Sequence, residues 1–169
     1  QHSLEELKRI LHLTSLPNRI EGYDISNIQG NHAVGSLVVA TKGLIDKTQY
    51  RKFTIKTVRG ANDVAMLAEV ITRRFKDKNN WAKPALIMLD GGKPQLNTII
   101  KIFKKKKKYI PLISLAKREE TIFTPTNKKG IKLPANSPAL LLLEELRDEA
   151  HRFGITFYRS KHRRQQLAN

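Results

Sequence analysis

The sequence predicts a single mixed α/β domain, with antiparallel and parallel strands in one sheet and helices on both of its faces. Three observations carry this. Three β-forming segments joined by short connections occupy residues 19–57. Two nearly continuous apolar runs, 84–90 and 110–116, alternate with amphipathic segments further along. Apolar residues recur at helical spacing in 63–75, in 93–106 and from Pro138 onward. A chain of 169 residues with 40% apolar content is long and apolar enough for one real core.

The first segment, QHSLEELKRILHL, places apolar residues at 4, 7, 10 and 11, and Ser3 with Glu6 offers a capping box. Pro17 closes it, so residues 1–17 are expected to be a linker or packing helix. Strand 19–27 follows, with Ile20, Tyr23 and Ile25 apolar and Asp24 in its middle. AVGSLVVATKG, 33–43, and TQYRKFTIKT, 48–57, complete an antiparallel meander. Helix 63–75 presents Val64, Leu67, Val70, Ile71 and Phe75 on one face, with Asp63 at its N-cap. Arg73 and Arg74 are expected as solvated helix residues. PALIMLD, 84–90, suits a strand covered on both faces. Gly91-Gly92-Lys93 then turns into a helix, 93–106, with Leu96, Ile99, Ile100 and Phe103 inward. IPLISLA is a second buried strand, 121–134 reads as a hairpin with Asn-Lys-Lys-Gly at its turn, and Pro138 opens a long last helix.

The order β-β-β-α-β-α-β-α, with a hairpin before the last helix, fits a ribonuclease H-like mixed sheet. The core domain is expected over 18–158, with 159–169 a basic linker. Cysteine is absent, which excludes disulfides and thiolate metal sites and fits a reducing, cytoplasmic compartment. No apolar run reaches the roughly 20 residues of a membrane span. The first residue is Gln, so the chain reads as a piece of something longer. Thirty-two Lys and Arg against 15 Asp and Glu give a net charge of +17, a field that favours nucleic acid. The basic residues are spread along the chain, which ranks a membrane surface lower.

Two carboxylates stand out. Asp24 lies within the first strand and Asp90 at the carboxyl end of the fourth. If these strands are parallel neighbours, about 4.8 Å apart, the two converge where α/β sheets bind ligands. Close carboxylates repel and call for a cation, and oxygen donors point to Mg²⁺ or Mn²⁺. Taken alone, Asp90 fits a plain turn residue at least as well. His151 falls well over a quarter-turn from the centre of the apolar stripe Ala139, Leu142, Leu143, Leu146, Ala150, Phe153 and Phe157, at roughly 100° per residue. It is either a site residue or an ordinary surface histidine. Lys104 to Lys108 read as a solvated helix end suited to the helix dipole, with a nonspecific attraction for phosphate. Lys93 stands where a helix start could hold a phosphate. Lys117 and Arg118 follow the fifth strand, and with Lys93 and Arg152 they are the candidates for DNA phosphate contact.

The stretches IEGYDISNIQG, YRKFTIK, GANDVAMLAEVITRRF, LIMLDGGKPQL, LAKREETIF and LPANSPALLLLEELRDEAHRFGITFYR occur in order over residues 4–164. Together they resemble the C-terminal ribonuclease H-like endonuclease domain of the UvrC family, part of a bacterial excinuclease of nucleotide excision repair. The resemblance implies an Asp-Asp-His catalytic set at Asp24, Asp90 and His151, with Asp63 at a further acidic position. Asp24 and Asp90 are expected to hold the metal, and His151 either completes the site as a third ligand or moves a proton. It implies a 5′ incision on the damaged strand, with damaged duplex DNA and UvrB as partners and UvrA upstream. It implies no membrane, and a monomer as a fragment. In the family a GIY-YIG nuclease and a UvrB-binding segment precede this domain and helix-hairpin-helix motifs follow it. The hairpin TPTNKKG is more lysine-rich than the family pattern. Two other classes stay open: a nonenzymatic basic nucleic-acid-binding module, and another ribonuclease H-like nuclease such as a resolvase or an RNA-cutting hydrolase.

Overall fold

The computed structural model describes residues 2–28, 32–76 and 80–168. The chain folds around a seven-stranded sheet. β1 (Arg19–Ile28) and β2 (His32–Thr41) pair antiparallel, with Tyr23 opposite Leu37 and Asp24 opposite Ser36. Beyond β2 lie β3 (Leu44–Ile45) and β4 (Arg51–Thr54), both antiparallel to it. On its other side β1 runs parallel to β5 (Leu86–Asp90), and β5 parallel to β6 (Leu112–Leu115). β7 (Ile122–Phe123) closes this edge antiparallel to β6. The strand order is β3-β2-β1-β5-β6-β7, with β4 also on β2. This is the mixed ribonuclease H-like sheet expected from the element order.

Alternation along β1 sends successive side chains to opposite faces. Ile20 joins one core, with Leu86, Met88, Leu143 and Leu146, beneath α1 (His2–Ile10) and α4 (Pro138–Ala168). Tyr23 joins the other, with Leu37, Val70, Leu89, Leu96 and Phe103, beneath α2 (Asp63–Arg74) and α3 (Lys93–Lys106). Helix α1 belongs to the body of the fold, because Leu4 and Leu7 are buried in the α4-side core. Helix α4 continues through 159–168, the stretch expected as linker.

Four local expectations are corrected. The third strand, expected over 48–57, shortens to β4 and is preceded by the short β3 and a 3-10 turn at Lys47–Gln49, where the Asp46 carboxylate accepts from Thr48 N and Thr48 Oγ1 and caps the turn. Asn62 caps α2 in place of Asp63, accepting from Ala65 N at 3.1 Å, and Asp63 stands at the first helical position. The hairpin shrinks to β7 and one bridge, Ile122 to Ile131, because Thr124 and Asn127 bond each other and Asn127 Oδ1 takes the Gly130 N–H.

Arg74 is not solvated. It is 3% exposed and donates to both oxygens of the fully buried Glu21, at 3.2 and 2.8 Å. Tyr23 OH and Arg19 Nε also donate to Glu21, and Arg74 reaches Ala82 O at 2.7 Å. An amphipathic-helix pattern cannot reveal such a partner, since Glu21 is supplied by another element.

Candidate active site

In the parallel β1–β5 pair, Tyr23 lies opposite Leu89, and the next residue on each strand is a carboxylate. Strand pairing alone therefore brings Asp24 and Asp90 side by side at the carboxyl ends of the strands. Asp24 is 8% exposed. Burial, and then the charge of Asp90, push its carboxyl up to about 7, while the Ile25 N–H and the Lys117 ammonium work the other way. Asp24 Oδ2 and Asp90 Oδ1 are buried and have no hydrogen-bond donor. Buried carboxylate oxygens without donors are costly, and a cation is one partner that would satisfy both.

These oxygens face a cleft of about 190 Å³, lined also by Asp63, Gly91, Gln95 and Lys117. Gly91 bends the chain from β5 into α3 at φ +138°, and Gln95 Oε1 accepts the Gly92 N–H at 3.0 Å. Any side chain at Gly91 meets the Gln95 amide, with a Cβ only 2.6 Å from Gln95 Cδ. Asp63 reaches the rim from the start of α2, and Lys117 from the end of β6.

His151 comes from α4. Its Nδ1 lies 3.6 Å from Asp24 Oδ2, an ion-pair distance, and its ring is 59% exposed. It opens on a neighbouring hollow lined by Asp90, Lys117, Glu120, Arg147 and Asp148. The approach of α4 depends on Gly154. A Cβ there would stand 2.2 Å from Ser26 Oγ and 2.8 Å from Ser36 Oγ, so a side chain at this turn would have to displace both serines.

The structure thus brings together Asp24, Asp90, His151, Asp63 and Lys117. Lys93 stands at the first turn of α3 with its ammonium 5.4 Å from the Phe123 ring. Arg118 is exposed and lines neither hollow. Arg152 is engaged with Glu149 at 2.7 and 3.1 Å, and Tyr50 OH donates to the same carboxylate.

Sequence reasoning missed Arg147 and Glu120. Arg147 Nη1 donates to both oxygens of Glu120, at 2.8 and 2.7 Å, and ties the loop after Lys117 to α4. Burial works against the Arg147 charge, but Glu120, with Asp148 and Asp90, holds its pKa above the ordinary value. Arg147 precedes His151 by one helical turn, and that spacing is the signal that could have found it.

Among the described residues no three His, Asp or Glu side chains converge tightly enough to hold a metal by themselves. Two hard oxygens beside open cleft fit an ion that keeps several waters, as Mg²⁺ does. With no cysteine in the chain, no thiolate is available for a soft metal.

The family model described as the UvrC RNase H endonuclease domain matches residues 8–155. A UvrABC system protein C from Chlorobium chlorochromatii is 49% identical over 158 residues, covering 92% of this chain and 25% of that protein. Its counterpart from Dictyoglomus thermophilum is 47% identical over 161 residues, covering 93% and 26%. The chain spans about a quarter of the length of the curated relatives it matches. A solved Ciona intestinalis endonuclease V bound to inosine-containing DNA overlaps 62% of this chain and 48% of its own, at 16% identity and a TM-score of 0.45. A likeness that loose has no bearing on function.

Proposed function

Since the chain belongs to the UvrC RNase H endonuclease domain family, we propose that it hydrolyses a phosphodiester bond of damaged duplex DNA, with a divalent cation held by Asp24 and Asp90. One observation supports this most: two buried carboxylate oxygens, on parallel neighbouring strands, with no donor between them. Bound there, Mg²⁺ or Mn²⁺ would polarise the phosphate and acidify a water.

The chain's own residues do the rest. Asp24 and Asp90 hold the cation and are themselves relieved of their mutual repulsion. His151 is close to Asp24 yet open to solvent, a position from which it handles a proton at the attacking or leaving oxygen. Lys117, which lines both hollows, neutralises the phosphate, and Asp63 orders water at the rim. Lys93 and Arg118 contact flanking phosphates, which fix position without reading bases. In the pathway the cut is the 5′ incision on the damaged strand, on duplex carrying UvrB, in the cytoplasm. The relatives' names support a place in the UvrABC system.

The test is nicking of a lesion-bearing duplex loaded with UvrB and already incised on the 3′ side, with Mg²⁺ or Mn²⁺. The parent chain is expected to nick on the 5′ side. Asp24→Asn and His151→Ala are each expected to lose at least about 10²-fold in rate, the scale of removing one preorganised stabilising group. Nicking that survives Asp24→Asn, or proceeds in EDTA, overturns the assignment. DNA binding without nicking under all conditions, even with the helix-hairpin-helix region supplied, would leave only the binding-module reading.

A further inference from the structure

We infer that the exposed face of α3 is a track for a duplex DNA backbone, leading from the Asp24–Asp90 cleft toward the far end of the sheet. This rests on reading that cleft as the cutting site. Between Asp90 and Glu119 the chain holds nine Lys and Arg and no Asp or Glu. Helix α3 buries Leu96, Ile99 and Phe103. At roughly 100° per residue, Lys93, Lys101, Lys104 and Lys105 fall within one arc of about 120° on the opposite side. All four are exposed, and among the described residues none of them forms an ion pair.

The track begins at the cleft, because Gly91 and Gln95 at the head of α3 line it. From Lys93 to Lys105 the helix rises about 18 Å, at 1.5 Å per residue. That is about five steps of a duplex strand at roughly 3.4 Å each. Past the end of α3, Lys83 and Lys108 line a further hollow of about 250 Å³. From Lys93 to Lys105 the exposed arc carries no aromatic ring, Tyr109 and Trp81 lying past its far end, and single-strand grooves depend on successive stacking. Phosphates of a duplex are therefore the better fit.

The opposite side of the molecule repels the same partner. The outer face of α4 carries Glu144, Glu145, Asp148 and Glu149 around Arg147. That face sets four carboxylates against Arg147 and Arg152, whereas α3 presents lysines with no carboxylate among them. Beyond the cleft, the field favours a path over α3 rather than along the outer face of α4.

The experiment measures affinity for a 30-base-pair duplex in EDTA across a range of NaCl concentrations. The variants are Lys101→Gln/Lys104→Gln/Lys105→Gln and Glu144→Gln/Glu145→Gln/Asp148→Gln. The lysine variant is expected to bind on the order of tenfold more weakly at low salt. Its plot of log affinity against log salt should be shallower by about 2 to 3, at roughly 0.9 per phosphate lost. The α4 variant should bind as tightly as the parent or more tightly. A parental slope in the lysine variant overturns the track, as does weakening on single strands alone, which would mean a single-stranded partner. So does a parent chain that shows no salt-dependent duplex binding. Nicking by Asp24→Asn, measured separately, tests the cleft itself, so the two ideas fail independently.

Discussion

At the scale of single residues, the Asp24–Asp90 pair sets a conflict between function and stability. Two carboxylates share a buried end of the sheet with no donor between them. Without metal, Asp24→Asn should therefore raise the melting temperature. A gain of about 1 kcal/mol corresponds to roughly 2–4 °C for a chain of this size. Adding Mg²⁺ should stabilise the parent and leave the variant unmoved. A variant that melts lower without metal would mean that the pair is not repulsive. Glu69 shows the opposite economy. Burial raises its carboxyl, but donors from Thr57, Lys56 and Arg73 outweigh that and hold it at about 2. Its folded value lies below the unfolded one, so its contribution is full above about pH 4.5. That contribution fades as pH falls toward 2. Urea midpoints between pH 5 and 2 should fall less steeply in Glu69→Gln, and identical slopes would refute the role. Asp24 was legible because a charge in mid-strand demands a partner. Asp90 was legible from its place at the end of an apolar run, where alone a turn residue fits as well, and the pairing of β1 with β5 sets it beside Asp24. Glu120 and Arg147 were hidden, because a loop and a helix distant in sequence supply them.

At the scale of elements, α4 is seated by Gly154, which sequence alone presents as a weak point in a strong helix. Gly154→Ala gains about 1 kcal/mol of helix propensity. It also forces a Cβ against Ser26 and Ser36, an overpacking that typically costs about 1–3 kcal/mol. The net expectation is a loss of up to about 2 kcal/mol by denaturant unfolding, with nicking reduced as His151 withdraws from Asp24. Adding Ser26→Gly should restore both, and failure to restore either would show that the contact is not what seats the helix. The tie between β1 and α2 is stronger. Glu21→Ala leaves Arg74 buried without its carboxylate, a change worth about 3–5 kcal/mol. Denaturant unfolding measures it, and a loss under 1 kcal/mol would mean that Arg74 finds water. Helix positions were readable from apolar spacing to within a residue or two. The region 44–57 was not, since the Asp46 cap competes with strand pairing and propensity alone does not rank the two.

For the whole molecule, charge is the dominant quantity. A net +17 loads the folded state with self-repulsion. Raising NaCl from 50 to 500 mM should therefore raise the melting temperature by several degrees while weakening DNA binding. A flat or falling curve would mean that local ion pairs, such as Arg147–Glu120, outweigh the global field. The sign of the charge was plain in composition. Its division between α3 and α4 needed the fold. The parallel pairing of β1 with β5 has a temporal consequence as well. Its two carboxylates come from strands separated by three further strands and a helix, so they meet only after a long crossover closes. Such pairings form slowly and late, since the entropy of closure precedes any contact that rewards it. A nascent chain, or one with β5 detached, therefore has no cutting centre. Folding itself is the safety catch, and the power to cut DNA appears in the same step as the native state.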